Sequence, residues 1–141
     1  MPFSDKARDP NRPYLVYAFA WRMRIFYIGL AGQDGTRHTH RWKFVQNLVR
    51  HEEQGTLTPD KRVELFRASN AVIRALVRSG VEPIDTVILW EGIGRTAALE
   101  AETLFLEAHR RAGTVLANIH GMDRPHSVEE VLQYLRAPSE A

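Results

Sequence analysis

Cysteine is missing from the whole 141-residue chain, which excludes disulfide bonds and thiolate metal sites. No apolar run approaches the roughly 20 residues needed to cross a bilayer. The opening residues, Met1-Pro2-Phe3-Ser4-Asp5-Lys6-Ala7-Arg8-Asp9-Pro10, are polar and lack the hydrophobic stretch of a signal peptide. We therefore expect a cytoplasmic protein without a membrane partner, residues 1–12 forming a flexible leader. There is no internal repeat, no low-complexity tract and little charge excess, the formal net charge being +2. What remains is an apolar fraction of 44%, enough for the core of one domain of about 100–150 residues.

The basic residues are mostly arginine and partly clustered, as in Arg37-His38-Thr39-His40-Arg41. The planar arginine fork suits phosphate because it reaches two oxygens at once. His38 and His40 lack a second group of ligands at a spacing that would make a metal site.

Tyr14 to Phe19 and Arg24 to Gly29 are aromatic and β-branched runs that predict two strands. The link between them is too short for a crossover, so they pair antiparallel. Trp42, Val45, Leu48 and Val49 recur at helical spacing and predict a helix over about 38–53. Thr58-Pro59 opens a second helix, with threonine as cap and proline in the first turn. Gly80 closes it, and Ser69 falls on its apolar face. Pro83 to Trp90 predicts a third strand whose continuous apolar run points to burial on both faces. A third long helix spans 96–112, and a terminal helix spans 126–135, capped by Ser127 and Glu130. The order β-β-α-α-β-α plus a C-terminal helix is an α+β fold, a small three-stranded mainly antiparallel sheet flanked by helices.

On the third long helix, at about 100° per residue, Ala98, Leu99, Ala101, Leu104, Phe105, Leu106, Ala108 and Ala112 share one broad arc. Glu102 falls inside it. A carboxylate there is costly unless paired or bound to a cation, so it is either a structural partner of an arginine or a ligand for a hard divalent metal. His109, on the same arc, reads as a hydrogen-bonded core histidine that could orient the glutamate.

Leu15-Val16-Tyr17 and Tyr27-Ile28-Gly29, with the arginines that follow and Glu102, resemble the GIY-YIG nuclease domain. The resemblance spans roughly Tyr14 to Asn118 and implies a domain over 13–122, residues 123–141 being a C-terminal helical tail. It implies a DNA endonuclease that hydrolyses phosphodiester bonds with one Mg²⁺ or Mn²⁺ held by Glu102. Tyr17 is then the candidate base, with Tyr27 positioning water or phosphate. Arg37, ten positions after Tyr27, is the candidate phosphate-binding arginine, and Arg41, one turn on, is the alternate. Where the family often has a histidine this chain has Arg41. Gly29, Arg41, His40 and Asn118 are the candidate substrate-binding residues. Tyr14, an odd number of positions from Tyr17, points to the other face and belongs to the core. The alternative function is a nucleic-acid-binding module that keeps the fold without the catalysis. The extra material is too short for a DNA-reading domain, so a partner chain or homodimer is expected to supply any sequence specificity.

Overall fold

Burial is concentrated in one strand. The computed structural model describes residues 11–33, 35, 38–119 and 124–138. In it β1, Pro13–Trp21, is buried at every position after the first. It lies between β2 (Arg24–Gly32) and β3 (Asp85–Ile93), giving the order β2-β1-β3 with both pairings antiparallel. β1 and β2 join through Arg22 and Met23, whose φ angles of 49° and 67° are the positive pair that a two-residue hairpin turn requires.

Alternation along β1 divides the core. Leu15, Tyr17, Phe19 and Trp21 enter the larger apolar cluster, and Val16 and Ala18 enter a second one. Four helices supply the larger cluster: α1 (Arg41–Gln54), α2 (Pro59–Leu65), α3 (Ala68–Arg78) and α5 (Val128–Arg136). α4, Arg95–Arg111, covers the other face through Ala101, Phe105 and Leu106. The expected α+β sandwich is therefore present. Tyr14 is buried on the face away from Tyr17, as its spacing predicts.

Local signals in the sequence act where they stand. The Thr58 hydroxyl accepts from the Lys61 amide, Pro59 opens α2, and Ser127 and Glu130 form a reciprocal capping box on α5. Gly55 ends α1 at φ 72°, and Thr56 N–H returns to the His51 carbonyl.

Four expectations need correction. The third strand is shifted to Asp85–Ile93 and is an edge strand, half exposed, with Val87 and Ile88 open to solvent. The strand buried on both faces is β1. The second helix is not continuous: it breaks after Leu65, and Ala68 takes a φ of 46°. That left-handed backbone is costly for a residue with a side chain, and tertiary contacts hold it. Phe66 lies between the Arg62 and Arg74 guanidiniums, and Arg74 is fixed to Glu52 of α1 by two hydrogen bonds of 2.9 Å. The arc of α4 is narrower than its apolar residues imply, because three strands cover only one strip of the helix. Ala98 and Ala101 are buried, whereas Leu99 and Leu104 are exposed, Leu104 to 67%. Finally, the C-terminal helix is no appendage: Val131 and Leu135 are buried in the main cluster, and Arg24 of β2 donates to the Tyr134 carbonyl. Residues 1–10, most of the expected leader, and 120–123, which carry the expected domain boundary, lie outside the described residues.

The Glu52–Arg74 pair makes stability depend on pH. The hydrogen bond from Arg74 holds the Glu52 carboxyl below its usual 4.5. The pair therefore stabilises the fold fully above that value and loses its contribution as pH falls through the lowered one. Arg74→Met is expected to cost about 1–3 kcal/mol at neutral pH and much less once Glu52 is protonated. Urea unfolding at both pH values checks this, and an equal loss at both would rule out the ion pair as the cause.

Candidate functional site

A cleft of about 440 Å³ opens at the outer edge of β2. Tyr17, Tyr27, Gly29, Arg41, Glu102 and Asn118 all line it, together with Glu64, Arg67, Ser69 and Asn70 from the break between α2 and α3. It gathers side chains from both layers, because β2 is an edge strand and no further strand closes its outer side.

Two irregularities in the sheet place the tyrosines. Between Phe19 and Ala20 the β1–β2 register skips Phe26, so Phe26 and Tyr27 both pack toward the larger cluster instead of alternating. Opposite Tyr17, the β1–β3 register skips Leu89. The rings of Tyr17 and Tyr27 end 6.3 Å apart, and Tyr27 stacks on Phe19 at 5.5 Å.

Gly29 is paired with Tyr17 across the strands. A Cβ on Gly29 would stand 2.5 Å from the Tyr17 hydroxyl and from the ring carbon bearing it. Gly29 is one of the candidate substrate-binding residues. It lies within β2, and the room it leaves is filled by Tyr17.

Asn118 is buried and uses its amide on β2. Its Oδ1 accepts from the Ile28 amide at 3.1 Å, and its Nδ2 donates to the Ile28 carbonyl at 2.7 Å. Ala117 N–H adds a bond to the Phe26 carbonyl at 2.6 Å. The segment after α4 thus pairs with the otherwise open edge of β2. Asn118 holds the strand between Tyr27 and Gly29 in a supporting role, while also lining the cleft.

Arg41 is the first residue of α1. Its Nη1 donates to Asn70 Oδ1 at 2.9 Å, its guanidinium lies 5.3 Å from the centre of the Phe19 ring, and Asn70 Nδ2 donates to the Glu64 carbonyl at 3.0 Å. The helix break brings Asn70 into reach of both partners. Arg37, the first choice for this role, lies outside the described residues. His40 is exposed at the start of α1, offers no side-chain cap and does not line the cleft.

His38 does more than the sequence indicates. It is buried and stacks on Tyr17 at 5.1 Å, while its carbonyl accepts from Thr86 Oγ1. Burial, then the Arg41 and His40 charges, push its pKa down, which favours the neutral ring against Tyr17. His109, read as a hydrogen-bonded histidine that could orient Glu102, bonds Thr114 through Nδ1 at 3.2 Å beyond the end of α4.

The electrostatics separate the two phenols. Tyr17 is 6% exposed, and burial, then the Tyr27 phenol, push its pKa up to about 12 against the pull of Arg41. Tyr27 is more open. Burial raises its pKa as well, but Arg41, Arg67 and the hydrogen bond from Tyr17 all lower it. Glu102 projects from α4 into the cleft, half-buried, and burial raises its pKa against the opposing charge of Arg95. Among the described residues no cation stands within ion-pair distance of it, so it is not sealed in a structural salt bridge there. No group of three or more metal-binding side chains occurs among the described residues.

Sequence reasoning missed Glu64, Arg67, Ser69 and Asn70 because it placed them inside a continuous helix. The polar pair Ser69-Asn70 within an apolar run was the available signal.

Removing the Asn118 amide leaves two buried backbone groups of Ile28 unpaired. Asn118→Ala is expected to cost about 2–4 kcal/mol and to speed hydrogen exchange along β2, as measured by denaturation and amide exchange. Unchanged protection at Ile28 would refute the supporting role.

Compared with family models, with curated proteins and with solved structures, the chain has no match in any of the three.

Proposed function

We propose that this chain is a metal-dependent endonuclease that hydrolyses DNA phosphodiester bonds, of the GIY-YIG type. One observation supports the reading above the others. Tyr17, Tyr27, Arg41 and Glu102 come from four separate elements, and all line one open cleft. Residues drawn together from positions so far apart in sequence are what a catalytic site requires.

Glu102 fits a hard divalent cation such as Mg²⁺ or Mn²⁺, because its half-buried carboxylate lacks a close cationic partner among the described residues and oxygen is the ligand these ions take. Bound there, the ion would supply Lewis-acid stabilisation of the charge on phosphate and leaving oxygen. Arg41, aimed by Asn70, binds a non-bridging phosphate oxygen and offsets the charge that develops on it.

The two tyrosines take roles opposite to those the resemblance implies. Tyr17 keeps its proton, stacked under His38 and donating toward Tyr27. Tyr27 is the more open phenol, and every neighbouring cation favours loss of its proton. Its hydroxyl oxygen therefore orients the attacking water and accepts the proton from it once Tyr27 has ionised.

The reading is tested on supercoiled plasmid with Mg²⁺. Wild type is expected to nick it, Glu102→Gln to lose at least about a hundredfold in rate, and Arg41→Ala to lose about a hundred- to a thousandfold. Undiminished cutting by Glu102→Gln would remove the metal assignment. Salt-sensitive DNA binding without cutting by wild type would replace the nuclease with a binding module.

The pH profile tests the tyrosine roles. Because the Tyr27 pKa lies above the ordinary phenol value of 10, the rate is expected to climb with pH through 8–9 without reaching a plateau. Tyr27→Phe is expected to remove the climb and Tyr17→Phe to retain it. The reverse pattern would return the base to Tyr17.

A further inference from the structure

We propose that the wall facing Glu102, made of Arg67, the Ser69 hydroxyl and the start of α3, is a second phosphate subsite that takes a phosphodiester flanking the one cleaved. The inference rests on the nuclease reading above and extends it to residues outside the set that the resemblance supplies.

Three observations converge. Arg67 lines the cleft, is exposed, and its guanidinium has no ion-pair or hydrogen-bond partner among the described residues. Its charge reaches the Tyr27 phenol, whose pKa it lowers, so it bears on the same space as the proposed chemistry. Ser69 is 2% exposed and also lines the cleft, yet its hydroxyl has no hydrogen-bond partner among the described residues. It is not among the side-chain atoms sealed from solvent without a partner, so it opens to the cleft and can donate to an anion bound there. Finally, α3 runs for 11 residues and starts at Ala68 with no side chain capping it, so the positive end of its dipole opens beside Arg67 and Ser69.

The break between α2 and α3 creates this arrangement. In a continuous helix the amides of residues 68–71 would be consumed by carbonyls one turn back. The turn at Ala68 interrupts that pairing; the Asn70 N–H returns to the Arg67 carbonyl at 3.0 Å, and Ala68, Ser69 and Asn70 line the cleft. Glu64, the acidic residue on this wall, faces Lys61 at 3.4 Å, which reduces its repulsion of an anion. Arg41 is committed to Asn70 and sits deeper, so the two guanidiniums hold separate positions. Adjacent phosphates of one strand would thus meet Arg41 and Arg67 in turn. Both contacts are to the backbone, which makes the subsite indifferent to base sequence.

The test separates this proposal from the nuclease reading. Binding of a labelled 20-base-pair DNA duplex is measured by fluorescence anisotropy in EDTA over a series of NaCl concentrations, with thermal melts confirming that each variant folds. Arg67→Gln is expected to bind more weakly and to reduce the slope of log K against log salt by about 1. Arg67→Lys is expected to retain the slope. Ser69→Ala is expected to lose about three- to tenfold in affinity with the slope unchanged. Wild-type slope in folded Arg67→Gln would overturn the subsite even if plasmid is cut. Arg67-dependent binding by a wild type that never cuts would uphold the subsite while the nuclease reading fails. Absence of any DNA binding by wild type would overturn both.

Discussion

The cleft depends on a close approach that only glycine permits. The Tyr17 ring lies over Gly29 of the neighbouring strand, where a Cβ would stand 2.5 Å from the phenol. With that space open, the phenol lies flat across β2 beneath His38 and meets Tyr27. With it filled, the ring would turn out of its slot, and the contacts to Tyr27 and His38 would go with it. The core cannot absorb such a shift cheaply, because Phe19 is packed against both tyrosines. The floor of the site is therefore part of the hydrophobic core. Its geometry is as rigid as the packing beneath it.

The walls are built differently, from helix ends and a helix break. Arg41 begins α1, Asn70 stands at the start of α3, and Asn118 follows the end of α4. Each acts through a side chain at or just beyond a helix end. Asn118 closes the outer edge of β2 through Ile28, and Asn70 ties Arg41 to the carbonyl of Glu64. Two buried asparagines thus do at the rim what main-chain pairing does in the sheet. The positive φ at Ala68 is tolerated because Phe66 and the Arg74–Glu52 pair hold the chain on either side of it.

Much of this was legible in the sequence. The hairpin, the caps at Thr58 and Ser127, the turn at Gly55 and the inward position of Glu102 follow from local chemistry, which acts alike in any fold. What was not legible depends on neighbours. An apolar run reads the same for a central and an edge strand, so β3 looked buried until its place beside β1 was known. The apolar residues of α4 describe a broad arc, but three strands cover only a strip of it, leaving Leu99 and Leu104 outside. The skipped Phe26 that brings Tyr27 to its side, and the break that turns Ser69 and Asn70 into the cleft, come from packing between elements that no local pattern encodes.

Charge is distributed across the cleft with a direction. α4 presents the carboxylate of Glu102, and the opposite wall presents Arg41 and Arg67, with the phenols between them. Burial works against the ionised forms of Tyr17, Tyr27 and Glu102, raising all three. The cations do not offset this equally. Arg41 bears on both phenols, whereas Arg67 adds to its effect at Tyr27 alone among the causes that act on the pair. The hydrogen bond between the hydroxyls adds to the same bias, stabilising the proton on Tyr17 and easing its loss from Tyr27. In the proposed reaction a cation beside Glu102 would remove the one nearby negative charge that opposes ionisation of Tyr27. Burial is the larger obstacle, so neutralising Glu102 would ease the ionisation of Tyr27 without undoing the desolvation that raises it.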